Sequence, residues 1–113
     1  MMEKTATILE LIKKDCLDIQ SLLTGLDKQE FLTCPSVNMA VTMSLFSIAE
    51  LSKTLPAEFH TSFPDLPFKR IIKLHTAAHE NKCLDLEEVW AVAACEINKI
   101  LNVISYFASL PQQ

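Results

Sequence analysis

PSVNMAVTMSLFSIAELSKTL, residues 35–55, is the stretch that decides the fold. Proline suits a first helical position, and from Val37 onward neither glycine nor proline interrupts the run. Val41, Leu45, Ile48, Leu51 and Leu55 recur at three- and four-residue steps and so share one face of a long helix. Met39, Met43 and Phe46 lie away from that stripe, which makes the helix apolar on more than one side. Two arrangements give this pattern: a helix placed between a domain core and a subunit contact, and a central helix buried within one chain.

The flanking sequence extends the same reading. Upstream, Ile8, Leu11, Ile12, Cys16, Ile19, Leu22 and Leu23 predict a helix over residues 5–24, with Lys13, Lys14, Asp15 and Asp18 on other faces. Gly25 tolerates the left-handed conformation that ends a helix, and Asp27 with Glu30 forms a capping-box pattern for a short turn at 27–32, followed by a connector at 33–36. Downstream, Pro56, Pro64 and Pro67 punctuate a crossover that also carries Phe59, Phe63 and Phe68, a composition suited to a packed segment. A third helix is expected from near Pro67 through Ile71, Ile72, Leu74 and Ala78 to about Glu80, breaking at 81–83. The last begins with a second capping box, Asp85 and Glu88, and runs through Leu86, Val89, Trp90, Ala93, Ile97, Ile100, Leu101, Ile104 and Phe107 to stop before Pro111. Four main helices and one short helical turn predict an all-α, four-helix up-and-down bundle made of a single domain, 1–113.

Composition agrees. One glycine in 113 residues cannot supply the turns of a β-sandwich or the phosphate-cradling loop of a nucleotide fold. Fourteen acidic against 10 basic side chains, a formal charge of -4, oppose attraction of polyanions over the whole surface, although a local basic stripe could hold RNA. An apolar share of 50% is generous for so short a chain and predicts an oligomer. No apolar run is read as long enough to span a bilayer, and Lys13 and Lys14 interrupt the place of a signal peptide's apolar region, so the expectation is a cytoplasmic protein without a membrane contact. Cys16, Cys34, Cys83 and Cys95 form no CxxC pair, and Cys16 and Cys95 fall in or beside apolar stripes, as reduced packing residues do.

The third helix holds the chemistry. His75 and His79 are four residues apart, which stacks both rings on one helical face within reach of a common phosphate. An arginine and a histidine converging on a phosphodiester suit metal-free RNA cleavage, the histidine moving protons and the guanidinium offsetting phosphorane-like charge. Arg70 is the nearest arginine, yet five steps at 3.6 residues per turn put it on a different face from His75. Two histidines at this spacing also make half a zinc site, which Glu80 or Asp85 could complete. No HExxH motif accompanies them, so neither a metal nor a cofactor is expected.

These residues sit in a wider pattern. The chain resembles the HepT-like family of the HEPN superfamily through Ile8-Leu9-Glu10-Leu11-Ile12, Thr24-Gly25-Leu26, Glu30-Phe31-Leu32, Ala40-Val41 and Lys53-Thr54-Leu55. Phe63-Pro64-Asp65-Leu66-Pro67-Phe68 is similar to the family's YPEIPW segment. His79 followed by Asp85-Leu86-Glu87-Glu88-Val89-Trp90 is similar to its H-D-Y-x3-D-L-E-x-V-W. The resemblance implies a dimeric helical bundle encoded beside a minimal nucleotidyltransferase. It also implies a ribonuclease toxin with an R-x4-H-x-Y motif at the dimer cleft, silenced by AMP groups added to the tyrosine.

The sequence departs from that motif. Anchored on Trp90, His79 takes the histidine position, the arginine position falls near Lys73 to His75, and the tyrosine becomes Asn81, which has no hydroxyl to accept AMP. Met43, Ser44 and Phe46 replace polar groups along the central helix, where Glu50 remains. The resemblance therefore implies a toxin–antitoxin component with weak or no ribonuclease activity that binds its nucleotidyltransferase. Two other readings stand beside it: an active metal-independent ribonuclease using His79 with His75, Lys73 or Arg70, and a stand-alone helical interaction domain.

Overall fold

The computed structural model describes residues 2–80 and 83–111. Among these there is no strand, and the helical segments are α1 (Met2–Leu23), α2 (Lys28–Leu32), α3 (Pro35–Ser52), α4 (Ala57–Ser62), α5 (Phe68–His79), α6 (Leu86–Cys95) and α7 (Ile97–Ser109). Helix α3 lies at the centre, packed most extensively on α1 along one side and on α5 along the other, while α7 closes against α1. The shortest dimension is 20 Å, about two helix diameters, so every long helix keeps one side near solvent.

The inner face of α3 is the expected one. Val41, Leu45 and Ile48 are fully buried, together with Ile12, Cys16 and Ile19 of α1 and Ile71 of α5. Burial pushes the Cys16 thiol up to about 12, which keeps it a neutral apolar filler. Buried polar groups on this helix are all bonded. Asn38 donates from Nδ2 to the Phe31 carbonyl at 3.1 Å, tying the end of α2 to α3, and Thr42 and Ser52 return their hydroxyls to backbone carbonyls one turn back. At the other end of α3 the Ser52 carbonyl lies 2.9 Å from His60 Nε2 on α4, so the third histidine of the chain serves as a helix cap.

Local signals placed most of the boundaries. Pro35 opens α3, the Asp27–Glu30 capping box forms in both directions, and Gly25 has φ +79°. Four features differ. The proline-punctuated crossover contains a short helix, α4, because Phe59 anchors one face of it in the core. The last helix is two helices, with the break at Glu96. Only half of the second capping box exists: Asp85 accepts from the Glu88 N–H, but the Glu88 carboxylate is drawn to Arg70 and does not return to the cap. Cys95 is exposed, since the break turns it out of the apolar stripe. All four cysteines are free thiols.

The apolar run Leu86–Ser109 is, contrary to expectation, long and apolar enough by composition to cross a bilayer. Its breadth has a packing use, because Val89, Val92, Ile97, Ile100 and Ile104 are buried in the core.

A methyl group on Gly25 would meet nothing within 4 Å, so any cost of adding one comes from the backbone alone. Gly25→Ala is expected to destabilise the chain by about 1–2 kcal/mol, the penalty for an L-residue held in the left-handed region, and Gly25→Asn by less. Urea unfolding of the three proteins measures this.

Candidate functional site

A stripe of α3 builds one wall of the site. Met39, Met43, Phe46, Glu50 and Lys53 recur at four- and three-residue steps, which places them within roughly 80° of arc on the helix. With the Val41, Leu45 and Ile48 face locked inward, this stripe is left beside α5. Met39 is 49% and Met43 62% exposed, while Phe46 is half-buried because α5 lies over it. Within one chain the helix is central on its inner face but leaves Met39 and Met43 bare, so it is not buried all round.

The facing wall is α5, whose Ile71 and Leu74 are buried and thereby direct His75 and His79 to the α3 side. The His75 ring packs against Phe46 at 4.8 Å between centroids and lies 5.8 Å from the ring of His79. His75 Nδ1 is 3.3 Å from Glu50 Oε2, and the same carboxylate oxygen is 3.3 Å from Lys53 Nζ. Glu50, Lys53, His75, Thr76, His79 and Glu80 together line an open groove of about 420 Å³. His79 is exposed in the last turn of α5, the end of a helix whose dipole favours positive charge.

Arg70 does not join the histidines. Its guanidinium makes a fork to Glu88, with Nε to Oε2 and Nη2 to Oε1 both at 2.9 Å, and Nη1 is 3.7 Å from Glu96 Oε2. Lys73 goes with it, lining a separate hollow with Arg70, Cys83, Asp85 and Glu88. The separation follows from helical phase: positions 70 and 73 turn toward α6 when 71 and 74 are buried, and 75 and 79 turn toward α3. Asn81, at the position matched to the family tyrosine, lies outside the described residues. Among the described residues no group of three His, Cys, Asp or Glu side chains is placed to hold a metal ion; Asp85 instead caps α6.

Glu50, Lys53 and Phe46 are the site residues that the motif reading did not name as such. The signal for them was present, since all three share one phase of α3 with the two methionines. What the sequence could not give was the neighbour, α5.

The described residues form a small all-helical protein with two imidazoles in one open groove. This chain belongs to the ribonuclease HepT-like family, whose sequence profile matches residues 12–107. Two proteins of Methanocaldococcus jannaschii are similar to it. "Putative RNase MJ0125" is 29% identical over 84 residues, 74% of this chain and 72% of that protein. "Putative RNase MJ1216" is 27% identical over 84 residues, 74% of this chain and 69% of that protein. No solved structure matches the chain significantly.

The Arg70 fork has a consequence for pH. Its hydrogen bonds hold the Glu88 carboxyl below the usual glutamate range, against the opposing effect of partial burial. Folded Glu88 stays ionised where the unfolded chain takes up a proton, so its contribution to stability is complete above the ordinary glutamate range and disappears as pH falls through the lowered value. Asp15 runs the other way: burial raises its carboxyl despite the hydrogen bond from Ser47, so its ionisation works against folding as pH rises through the raised value. Glu88→Gln is expected to flatten the acid limb of Tm against pH.

Proposed function

We propose that this chain is a HepT-like four-helix bundle that acts as a cytoplasmic homodimer, contacts RNA at the groove between α3 and α5, and cleaves it slowly without a metal ion, as the toxin-type partner of a minimal nucleotidyltransferase. The observation that carries the proposal is the meeting of His75 and His79 in a groove that Arg70 does not enter. Two imidazoles can take the proton from a ribose 2′-hydroxyl and return one to the 5′-oxygen. The 2′-oxygen bonds to phosphorus, the P–O5′ bond breaks, and the products are a 2′,3′-cyclic phosphate and a 5′-hydroxyl.

Slowness has a physical origin. The groove's cation is Lys53, and its ammonium sits against Glu50, with Glu80 also lining the groove. Among the described residues, a cation shared with a carboxylate attracts a polyanion poorly and offsets developing phosphorane charge less than a free guanidinium does. The resemblance to proteins encoded beside minimal nucleotidyltransferases is what suggests the partner. At the position where such partners add AMP, Asn81 offers no hydroxyl, so the complex is held by binding.

The dimer is placed on the outward stripe of α3, because Met39 and Met43 lead directly into the wall that carries Phe46 and Glu50. Pairing there brings two grooves together. Light scattering after size exclusion is expected to give twice the chain mass for the wild type and a monomer for Met43→Glu, with helical content retained.

Incubation of the pure protein with RNA in chelator tests the reaction. Cleavage that survives chelation, falls at least 100-fold in His79→Ala and stays within a few-fold in Arg70→Gln is the expected result. Intact RNA under these conditions would leave the chain a binding subunit without catalysis.

A further inference from the structure

The two histidines of the groove are not equivalent, and the difference assigns their work. His75 is largely covered, with 19% of its side chain exposed, and two neighbours fix its ring: Phe46 packs on it at 4.8 Å, and Glu50 Oε2 stands 3.3 Å from Nδ1. His79 has no such clamp of α3 side chains among the described contacts and sits at the exposed end of α5. A carboxylate facing one imidazole nitrogen keeps the proton on that nitrogen and leaves the lone pair on the other. It also offsets the positive charge that the ring acquires when it takes a second proton.

We propose that Glu50 is a positioning residue that holds His75 in the Nδ1–H tautomer, so that His75 Nε2 is the base that accepts the 2′-hydroxyl proton and His79 is the acid that protonates O5′. This rests on the RNA-cleavage reading above. In the step, the 2′-O–H bond breaks as its proton passes to His75 Nε2, the 2′-oxygen bonds to phosphorus, and the P–O5′ electron pair moves to O5′ as that atom takes the proton of the His79 imidazolium. One proton has moved from His79 to His75, and exchange with water resets both rings. The arginine that the family motif supplies elsewhere has no part in the transfer, because Arg70 is held by Glu88 on the far side of α5.

Two measurements test this. Nitrogen-15 NMR of the imidazoles at alkaline pH reports the tautomer in the free protein, with no RNA present. The wild type is expected to show Nδ1–H at His75, Glu50→Gln to keep it through its amide oxygen, and Glu50→Ala to shift it toward Nε2–H, the form free imidazole side chains favour in water. Nε2–H in the wild type, or an unchanged spectrum in Glu50→Ala, overturns the assignment of Glu50.

The second measurement uses an RNA whose scissile 5′-oxygen is replaced by sulfur, a leaving group that needs no acid. His79→Ala is expected to cleave it within about 10-fold of the wild type while losing at least 100-fold on ordinary RNA. His75→Ala is expected to lose at least 100-fold on both, and Glu50→Ala to lower kcat on both while KM falls, because Lys53 is released and a carboxylate is removed from the groove. Rescue of His75→Ala in place of His79→Ala reverses the roles and overturns the proposal. A wild type that cleaves neither RNA would overturn the base assignment together with the reading it rests on, whereas the tautomer of His75 would still stand or fall on its spectrum.

Discussion

The rotation of α3 about its own axis is the constraint on which the rest of the molecule depends. Val41, Leu45 and Ile48 are completely buried between α1 and α5, and a helix whose inner face is filled that tightly cannot turn without exposing large apolar groups. Once that face is fixed, 3.6 residues per turn carries Met39, Met43, Phe46, Glu50 and Lys53 to one edge, alongside α5. Asn38 and His60 hold the two ends, the first on the carbonyls of α2 and the second on the carbonyl of Ser52. The groove is thus a by-product of core packing, with its polar residues riding on helices whose positions are set by apolar contacts.

The same logic explains why the chain keeps an arginine near its histidines in sequence and far from them in space. Ile71 and Leu74 set the phase of α5, which sends Arg70 toward α6 and His75 toward α3. There the guanidinium meets Glu88 in a two-bond fork, a geometry that arginine favours and that takes Glu88 away from the backbone cap it would otherwise complete. An exposed pair of this kind adds little to stability by itself. Its larger effect is to hold the chain's single arginine on the α6 side, away from His75 and His79.

Within the groove, the contrast between a histidine packed against Phe46 and Glu50 and one at the exposed end of α5 matches the demands of the proposed transesterification. In that proposal a base must present a lone pair in a fixed direction, and the contacts of Phe46 and Glu50 with His75 are what would give it one. An acid must reach a leaving oxygen and exchange its proton with water, which suits the exposed end of a helix. In the same proposal Glu50 also carries a cost, because it holds Lys53 and adds negative charge to the groove.

The amino-acid sequence by itself determined that the chain is helical, where most helices begin, and which family it resembles, because capping, periodicity and the left-handed glycine are local properties that need no knowledge of neighbours. Gly25, the Asp27–Glu30 box, Pro35 and the paired spacing of His75 and His79 were all legible for that reason. The division of the last helix at Glu96, the exposure of Cys95, the helix inside the crossover and the half-made cap at Asp85 were not, since each depends on what packs against the segment. Only the tertiary structure decided that Glu50 faces His75 and that Arg70 faces Glu88: periodicity assigns a residue to a face of its own helix, and the partner that meets that face is chosen by the packing of the whole core.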